Sequence, residues 1–352
     1  MPALRRSGQK CAEIARLSLV GVVVGAALSG ALSSSASLTP TVALQISAVG
    51  FLLHVSAFVL NDVADVEIDR SDPRRAGFPM VTGAFPVWAG VVLAVGCTVL
   101  SVALDAAFFH PAAVRQTELL GAYAALIAYD FTGKRCRLPP LTDFLQGVGG
   151  ACVVLYGASA AGGMTTMTCA SAAYTAVYLA LVNGLHGGVR DYENDAAVGA
   201  RTTAVMFGVT CGPEGAVLIP APFRWYAWTL QVLLGAVVAG GLAVSLSASS
   251  ADVTEVAGGC FCVLSVALSA LLLRAALGRP KRLTPLKLLG AAHIVAAYLP
   301  IAGLACTHRG TIRLAVCVLF MALPLIANPW FRRGITQLVH GGGGMGASGG
   351  CA

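Results

Sequence analysis

Long apolar runs separated by short polar stretches dominate the chain. Six runs are about twenty residues long and four are somewhat shorter, a length that matches the hydrocarbon thickness of a bilayer. Because backbone groups in hydrocarbon must bond within their own segment, each run predicts a helix. The pattern predicts an all-α, multi-pass transmembrane bundle of nine to ten spans. The runs lie near 14–33, 41–61, 85–104, 116–129, 141–160, 168–189, 225–247, 256–277, 286–306 and 311–328.

Composition excludes a soluble globular protein. Of the 352 residues, 57% are hydrophobic and 11% are charged, whereas a soluble domain carries about 25% charged residues. Most of the surface must therefore face membrane lipid. We expect residues 1–13 to form a cytosolic N-terminus, 14–328 the transmembrane domain, and 329–352 a flexible, Gly-rich tail.

Charged residues are sorted between the two sides of the membrane. With ten spans, 20 of the 23 Lys and Arg residues fall on the side that holds both termini. Since cations resist translocation, this side is predicted to be cytoplasmic. The same side holds eight of the 16 Asp and Glu residues, in two short stretches at 62–72 and 191–195. Topology does not explain clustered acids, so these stretches are where function is expected.

The first acidic cluster closes the second apolar run with the sequence NDVADVEIDR, residues 61–70. If the helix continues, Asn61, Asp65 and Asp69 stack at i, i+4 and i+8, and Asp62 lies beside them. Carboxylates at this spacing repel one another unless a counter-charge is present. Magnesium would supply that charge, since it prefers oxygen ligands and uses one or two carboxylates together with substrate phosphate oxygens.

The second acidic cluster closes the sixth run with the sequence RDYEND, residues 190–195. Asp191 and Asp195 share one helix face at i, i+4. A single such cluster is more often a solvated helix end. Two clusters on one side of the membrane, in a chain poor in acids, indicate a shared site that would hold metal ions with a diphosphate between them.

Five motifs together resemble the UbiA-type intramembrane prenyltransferases, which include enzymes like 4-hydroxybenzoate polyprenyltransferase. The resemblance covers about residues 10–210 and follows the family's motifs in order along the chain. The matching segments are NDVADVEID at 61–69 (family NDxxDxxxD), Pro79-x-x-x-Gly83, Tyr129-x4-Lys134-Arg135, DYEND at 191–195 (family DxxxD), and Gly199-Ala200-Arg201-Thr202-Thr203.

The resemblance implies a helical bundle whose central cavity is capped by cytosolic loops, and it implies roles for individual residues. Lys134, Arg135 and Arg201 would hold the diphosphate, Tyr129 would stabilise a prenyl cation, and Arg16 would contact the acceptor. One Mg²⁺ would bind to Asn61, Asp62, Asp65 and Asp69, and another to Asp191 and Asp195.

The implied function is magnesium-dependent ionisation of a prenyl diphosphate and transfer of the prenyl group to an aromatic or similar acceptor. Phe78 and Leu17 depart from the family pattern near the acceptor, so an intramembrane terpene cyclase remains the alternative. A transporter is disfavoured because the acids lie at span ends rather than at the bilayer midplane. The basic loop at 279–282 is explained by topology, and no nucleic-acid partner is expected.

Overall fold

The computed structural model describes residues 13–34, 38–212, 216–248 and 253–306, and within them the protein is almost entirely helical. The predicted tenth span at 311–328, the predicted tail at 329–352 and residues 1–12 lie outside the described residues. The helices are α1 (Val20–Ser33), α2 (Pro40–Asp69), α3 (Val87–Phe108), α4 (Ala113–Thr132), α5 (Pro139–Ala161), α6 (Thr166–Leu181), α7 (Gly188–Ala197), α8 (Thr203–Met206), α9 (Ala221–Ala248), α10 (Val253–Gly278) and α11 (Leu283–Cys306).

Seven helical segments in the described part of the chain are long and apolar enough to cross a membrane, one of them formed by α6 and α7 together. The shorter α1 is also apolar. Large apolar side chains such as Trp88, Trp225 and Leu264 are exposed on the outer surface, where lipid would cover them. The prediction of an all-α, multi-pass bundle is confirmed, and the chain is an integral membrane protein.

Two helices carry the predicted acidic clusters. Helix α2 begins at Pro40, where the Thr39 hydroxyl accepts a hydrogen bond from the Val42 amide, and then runs without interruption to Asp69. The first cluster is therefore helical throughout, as the sequence predicted. Helix α6 continues through a π-helical turn, Val182–Gly187, into α7, which carries the second cluster. Such π turns occur frequently at functional sites.

The segments that connect these helices meet at one end of the bundle. The Arg201 amide donates to the Lys134 carbonyl at 2.8 Å, and Ser71 Oγ donates to Asn194 Oδ1 at 3.1 Å. A small antiparallel sheet lies in this region, in the order β1 (Thr210–Cys211), β2 (Ala216–Leu218) and β3 (Lys281–Arg282). We call this end of the bundle the cap. It is formed by the segments around Ser71, Lys134 and Arg201 together with the three strands.

Glycines let neighbouring helices approach to backbone contact. A Cβ on Gly30 of α1 would overlap the carbonyl oxygen of Val154 on α5, and a Cβ on Gly157 of α5 would overlap the carbonyl oxygen of Ala27 on α1. A Cβ on Gly147 would likewise overlap the carbonyl oxygen of Ala176 on α6. Close contact through small residues is how membrane helices gain packing energy, because lipid gives them no hydrophobic force toward each other.

Replacing Gly30 or Gly157 by Ala is expected to destabilise the protein by at least about 1–3 kcal/mol, the usual cost of overpacking. The added methyl group meets rigid backbone rather than a flexible side chain, so α1 and α5 must separate. The measurement is the midpoint of thermal unfolding in detergent. Gly96→Ala in α3 is the control, because a Cβ there meets nothing within 4 Å. Equal midpoints for Gly30→Ala and Gly96→Ala would contradict the close contact.

Candidate active site

A cavity of about 440 Å³ runs from the cap into the bundle between α1, α2, α4, α5, α6, α7, α10 and α11. Charged side chains line it at the cap. Farther in, the lining is mostly aliphatic, with residues such as Val22, Ala26, Ile294 and Ile301. Along α11 the lining extends from Lys287 to Ile301, which corresponds to about 21 Å at 1.5 Å per residue. The cavity is thus polar at one end and apolar along its length.

The two acidic clusters meet at the polar end. Asp65, Asp191 and Asp195 all line the cavity. The Lys134 ammonium lies between the clusters, 3.2 Å from Asp65 Oδ2 and 3.6 Å from Asp195 Oδ1. Burial alone would lower the pKa of Lys134, but Asp65 and Asp195 outweigh that effect and raise it. The lysine therefore stays charged and offsets the repulsion between two carboxylates that are far apart in the sequence.

Asp191 is held by two arginines. Arg190 Nη2 lies 2.6 Å from one of its carboxylate oxygens and Arg74 Nη2 lies 3.3 Å from the other. Arg74 is itself positioned by Asp72, whose carboxylate accepts hydrogen bonds of 2.7 to 3.1 Å from the Arg74 guanidinium group. The loop after α2 is in this way fastened to the start of α7.

The remaining members of the first cluster have other partners. Asn61 lines the cavity and donates to Asp130 Oδ1 at 3.2 Å. Asp62 forms an ion pair with Arg16, and Asp69 lies 3.8 Å from Arg75 Nη1. Asp62 and Asp69 line a smaller neighbouring pocket instead of the main cavity. Among the described residues, no three His, Cys, Asp or Glu side chains are arranged to hold a metal ion by themselves.

The cations predicted from the sequence divide into two groups. Lys134 and Arg16 line the cavity. Arg135 is exposed and donates to the backbone carbonyls of Phe131 and Ala64, while the side chain of Arg201 is exposed outside the cavity lining. Three further cations that the sequence analysis did not assign to the site line the cavity: Arg75, Arg190 and Lys287.

A polar network around Asp143 was missed in the sequence. The Tyr129 hydroxyl donates to Asn183 Oδ1 at 2.8 Å, and Asn183 Nδ2 donates to Asp143 Oδ1 at 2.7 Å. The other Asp143 oxygen accepts hydrogen bonds from Thr203 and from Tyr226, the latter at 3.2 Å. The network fixes the position of Tyr129 in the cavity wall. Asp143 is a lone acid in an apolar run, and such a residue is by default a functional candidate.

Comparisons with known proteins agree with this architecture. The family model described as the UbiA prenyltransferase family matches residues 18–282. A digeranylgeranylglyceryl phosphate synthase from Methanoculleus marisnigri is 29% identical over 224 residues, which cover 58% of this chain and 74% of that protein.

Two solved structures share the fold. A UbiA homologue from Archaeoglobus fulgidus bound to DMAPP and Mg²⁺ superposes with a TM-score of 0.61 at 17% identity, covering 83% of this chain and 99% of the other. A UbiA homologue from Aeropyrum pernix K1 superposes with a TM-score of 0.56 at 18% identity, covering 88% and 97%. At these identities the likeness concerns the fold alone.

Proposed function

The chain belongs to the UbiA prenyltransferase family and is a prenyltransferase, and from this premise we propose that it ionises a prenyl diphosphate with Mg²⁺ and transfers the prenyl group to an aromatic or similar acceptor. The observation that carries the proposal is the meeting of Asp65, Lys134 and Asp195 at the polar end of a long apolar cavity.

The shape and polarity of the cavity suit a prenyl diphosphate. Such a donor has a strongly anionic head and an aliphatic tail, and the cavity has cations and carboxylates at the cap and aliphatic side chains beyond them. Each CH₂ of the tail that leaves water contributes about 0.8 kcal/mol. DMAPP, named with the Archaeoglobus fulgidus homologue, belongs to this class of ligand.

The donor set at the cap fits Mg²⁺. Asp65, Asp191 and Asp195 line one cavity with their carboxylate groups. Asp195 Oδ1 is buried without a hydrogen-bond partner, because the Lys134 ammonium, at 3.6 Å, is close enough for an ion pair but too far for a hydrogen bond. We propose that these three aspartates hold Mg²⁺ only together with oxygens of the diphosphate, and that Asn61, Asp62 and Asp69 belong to the same site. When bound, Mg²⁺ would neutralise the carboxylates and stabilise negative charge on the departing diphosphate.

The chain's own residues provide the remaining chemistry. Lys134, Arg190 and Lys287 line the cavity and would bind diphosphate oxygens through charge-assisted hydrogen bonds, with Arg135 and Arg201 as outer contributors. The aliphatic lining excludes water, which would otherwise capture the allylic cation. The Tyr129 ring, fixed through Asn183, offers a π face that is worth up to about 2 kcal/mol to a desolvated cation.

A second acceptor class has support. The Methanoculleus relative is named for a glyceryl phosphate product, and Lys287 of α11 lines the cavity as a cation that would suit an acceptor phosphate as well as the diphosphate. A glyceryl phosphate acceptor is therefore tested beside aromatic ones.

For the orientation in the membrane, we propose that the cap and both termini face the cytoplasm, because 20 of 23 cations fall on that side in a ten-span arrangement.

Chelation of Mg²⁺ is expected to lower diphosphate release by at least about 100-fold, the scale on which losing an electrostatic stabiliser lowers kcat. Protein purified in detergent would be incubated with geranyl, farnesyl or geranylgeranyl diphosphate and with aromatic or glyceryl phosphate acceptors. Diphosphate release and the products, identified by mass spectrometry, are measured with Mg²⁺, with EDTA, and after Mg²⁺ is restored.

The outcomes separate the candidate functions. A prenylated acceptor formed only with Mg²⁺ supports the proposal and identifies the acceptor class. A cyclic hydrocarbon formed without any acceptor would replace it with the terpene cyclase. Donors that stay intact under every condition would overturn both.

A further inference from the structure

A chain of hydrogen-bonded side chains leads from the cavity wall into the protein. His186, in the π turn between α6 and α7, lines the cavity, and its Nε2 lies 2.7 Å from Nδ1 of His293 on α11. Nε2 of His293 lies 3.0 Å from Oε1 of Gln231 on α9, which also accepts from the Ser269 hydroxyl of α10 at 2.9 Å. The His186 imidazole is thus held by a chain of hydrogen bonds whose members lie on the π turn, α11, α9 and α10.

This chain fixes which nitrogen of each neutral imidazole carries the proton. An amide oxygen can only accept, so Nε2 of His293 must donate to Gln231. Nδ1 of His293 is then an acceptor, and Nε2 of His186 must donate to it. The amide orientation of Gln231 is consistent, because its nitrogen points toward the Val266 carbonyl oxygen at 3.5 Å. His186 is therefore left with its lone pair on Nδ1.

The Nδ1 atom of His186 lies beside a glycine that also lines the cavity. A Cβ on Gly290 of α11 would be 2.8 Å from this nitrogen, so any larger residue would crowd it. The π turn widens the helix where His186 and Asn183 reach the cavity. His186 thereby places an uncharged nitrogen base in the cavity wall, next to Gly290 and among carboxylates and permanently charged cations.

Those carboxylates are already engaged. Asp65 and Asp195 flank Lys134, Asp191 is paired with two arginines, and both oxygens of Asp143 accept hydrogen bonds. Asp130 is the competing base, because it is in none of the ion pairs that engage Asp65, Asp191 and Asp195, and its Oδ2 is buried without a hydrogen-bond partner while Oδ1 accepts from Asn61. Asp130 accepts a hydrogen bond from Asn61 of the first acidic cluster, which places it at the diphosphate end of the cavity. His186 instead packs against Gly290 and His293 of α11.

We propose that Nδ1 of His186 is the general base that removes the acceptor's proton. The inference rests on the proposed prenyl transfer. The allylic C–O bond breaks and its electron pair leaves with the diphosphate, while a nucleophilic atom of the acceptor forms a bond to the prenyl carbon. The acceptor's O–H or C–H bond then breaks, its electron pair stays with the acceptor, and the proton passes to Nδ1. The Nε2–H of the resulting imidazolium still donates to His293, which spreads the charge over the pair.

His186→Gln separates this role from a structural one. The glutamine amide nitrogen can still donate to His293 from the position of Nε2, but no lone pair remains at Nδ1. We expect prenylated product to fall by about 10²–10⁴-fold, the usual contribution of a general base, while Mg²⁺-dependent diphosphate release continues and the prenyl cation ends in products that contain no acceptor. Both quantities are measured in one reaction, so the readout is the ratio of product to diphosphate.

Two companion variants keep the test decisive if His186→Gln does not fold. Gln231→Leu removes the acceptor that sets the tautomer and should lower the ratio about 10-fold, whereas Gln231→Glu keeps an accepting oxygen and should retain it. Tyr174→Phe is the control, because it removes a 2.8 Å hydrogen bond to the Ala297 carbonyl between the same helices, outside the cavity lining.

The results distinguish three situations. A ratio of product to diphosphate in His186→Gln that equals that of the unaltered protein, whether or not both quantities fall, overturns the proposal. A fall of the ratio in Asp130→Asn but not in His186→Gln assigns the base to Asp130. Failure of the unaltered protein to release diphosphate from any donor would instead reject the proposed function itself.

Discussion

Replacing Asp65 by Asn is expected to lower kcat for prenyl transfer by at least about 100-fold, the scale measured when one electrostatic stabiliser is removed from an active site. Asp65 is the one carboxylate of the first cluster that both lines the main cavity and shares the Lys134 ammonium with Asp195. The substitution preserves size and removes the charge that Mg²⁺ would need. The measurement is diphosphate release at saturating donor and Mg²⁺, in detergent.

Glu67→Gln provides a matched control two residues along the same helix. It removes the same charge, but Glu67 is exposed and bonds to Arg70 at 2.6 Å on the outer side of α2. We expect it to retain nearly full activity and the thermal midpoint of the unaltered protein. An Asp65→Asn enzyme that turns over as fast as Glu67→Gln would mean that the magnesium site lies elsewhere.

The membrane-spanning architecture could be predicted because its signal is local. An apolar run of about twenty residues must satisfy its own backbone in lipid, so the runs at 41–61 and 85–104 predict helices whatever surrounds them. The helical continuation of α2 through Asp69 was predictable in the same way, since no glycine or proline interrupts Asn61–Asp69. The convergence of two acidic helix ends followed from their common side of the membrane.

Other features depend on contacts that the sequence does not reveal. The strands β1, β2 and β3 have two or three residues each, too few for an alternating pattern, and β3 pairs with β2 from 64 to 66 positions away in the chain. The π turn at Val182–Gly187 has no distinctive periodicity either. That turn directs Asn183 and His186 to the cavity, a placement that their spacing before Asp191 suggests but does not fix.

The basic residues after α4 show the same division. Lys134 and Arg135 are neighbours in one motif, and only the Lys134 side chain reaches the cavity. The difference is set by the cap, where the Arg201 amide bonds to the Lys134 carbonyl and Arg135 bonds to the Phe131 carbonyl. Asp143, by contrast, could have been identified, since a carboxyl group within an apolar run rarely lacks a function.

Lys134→Met is expected to lower kcat by about 100-fold and also to destabilise the metal-free protein. Lys134 is the cation between Asp65 and Asp195, whose side chains are 12% and 2% exposed. Removing one partner of a buried ion pair typically costs about 3–5 kcal/mol, and we expect the lower end of that range because Lys134 is 23% exposed. The measurements are diphosphate release and the thermal midpoint in EDTA.

Addition of Mg²⁺ gives the sharper test of the same variant. If the ammonium and the metal neutralise the same two carboxylates, Mg²⁺ should raise the thermal midpoint of Lys134→Met more than that of the unaltered protein. Arg137→Met is the control, because Arg137 lies in the same loop, is exposed, and is outside the cavity lining. Equal Mg²⁺-induced shifts in Lys134→Met and Arg137→Met would show that the metal does not bind where Lys134 now lies. A cation that competes with the lysine ammonium must bind more tightly once that ammonium is gone, and must therefore raise the thermal midpoint more.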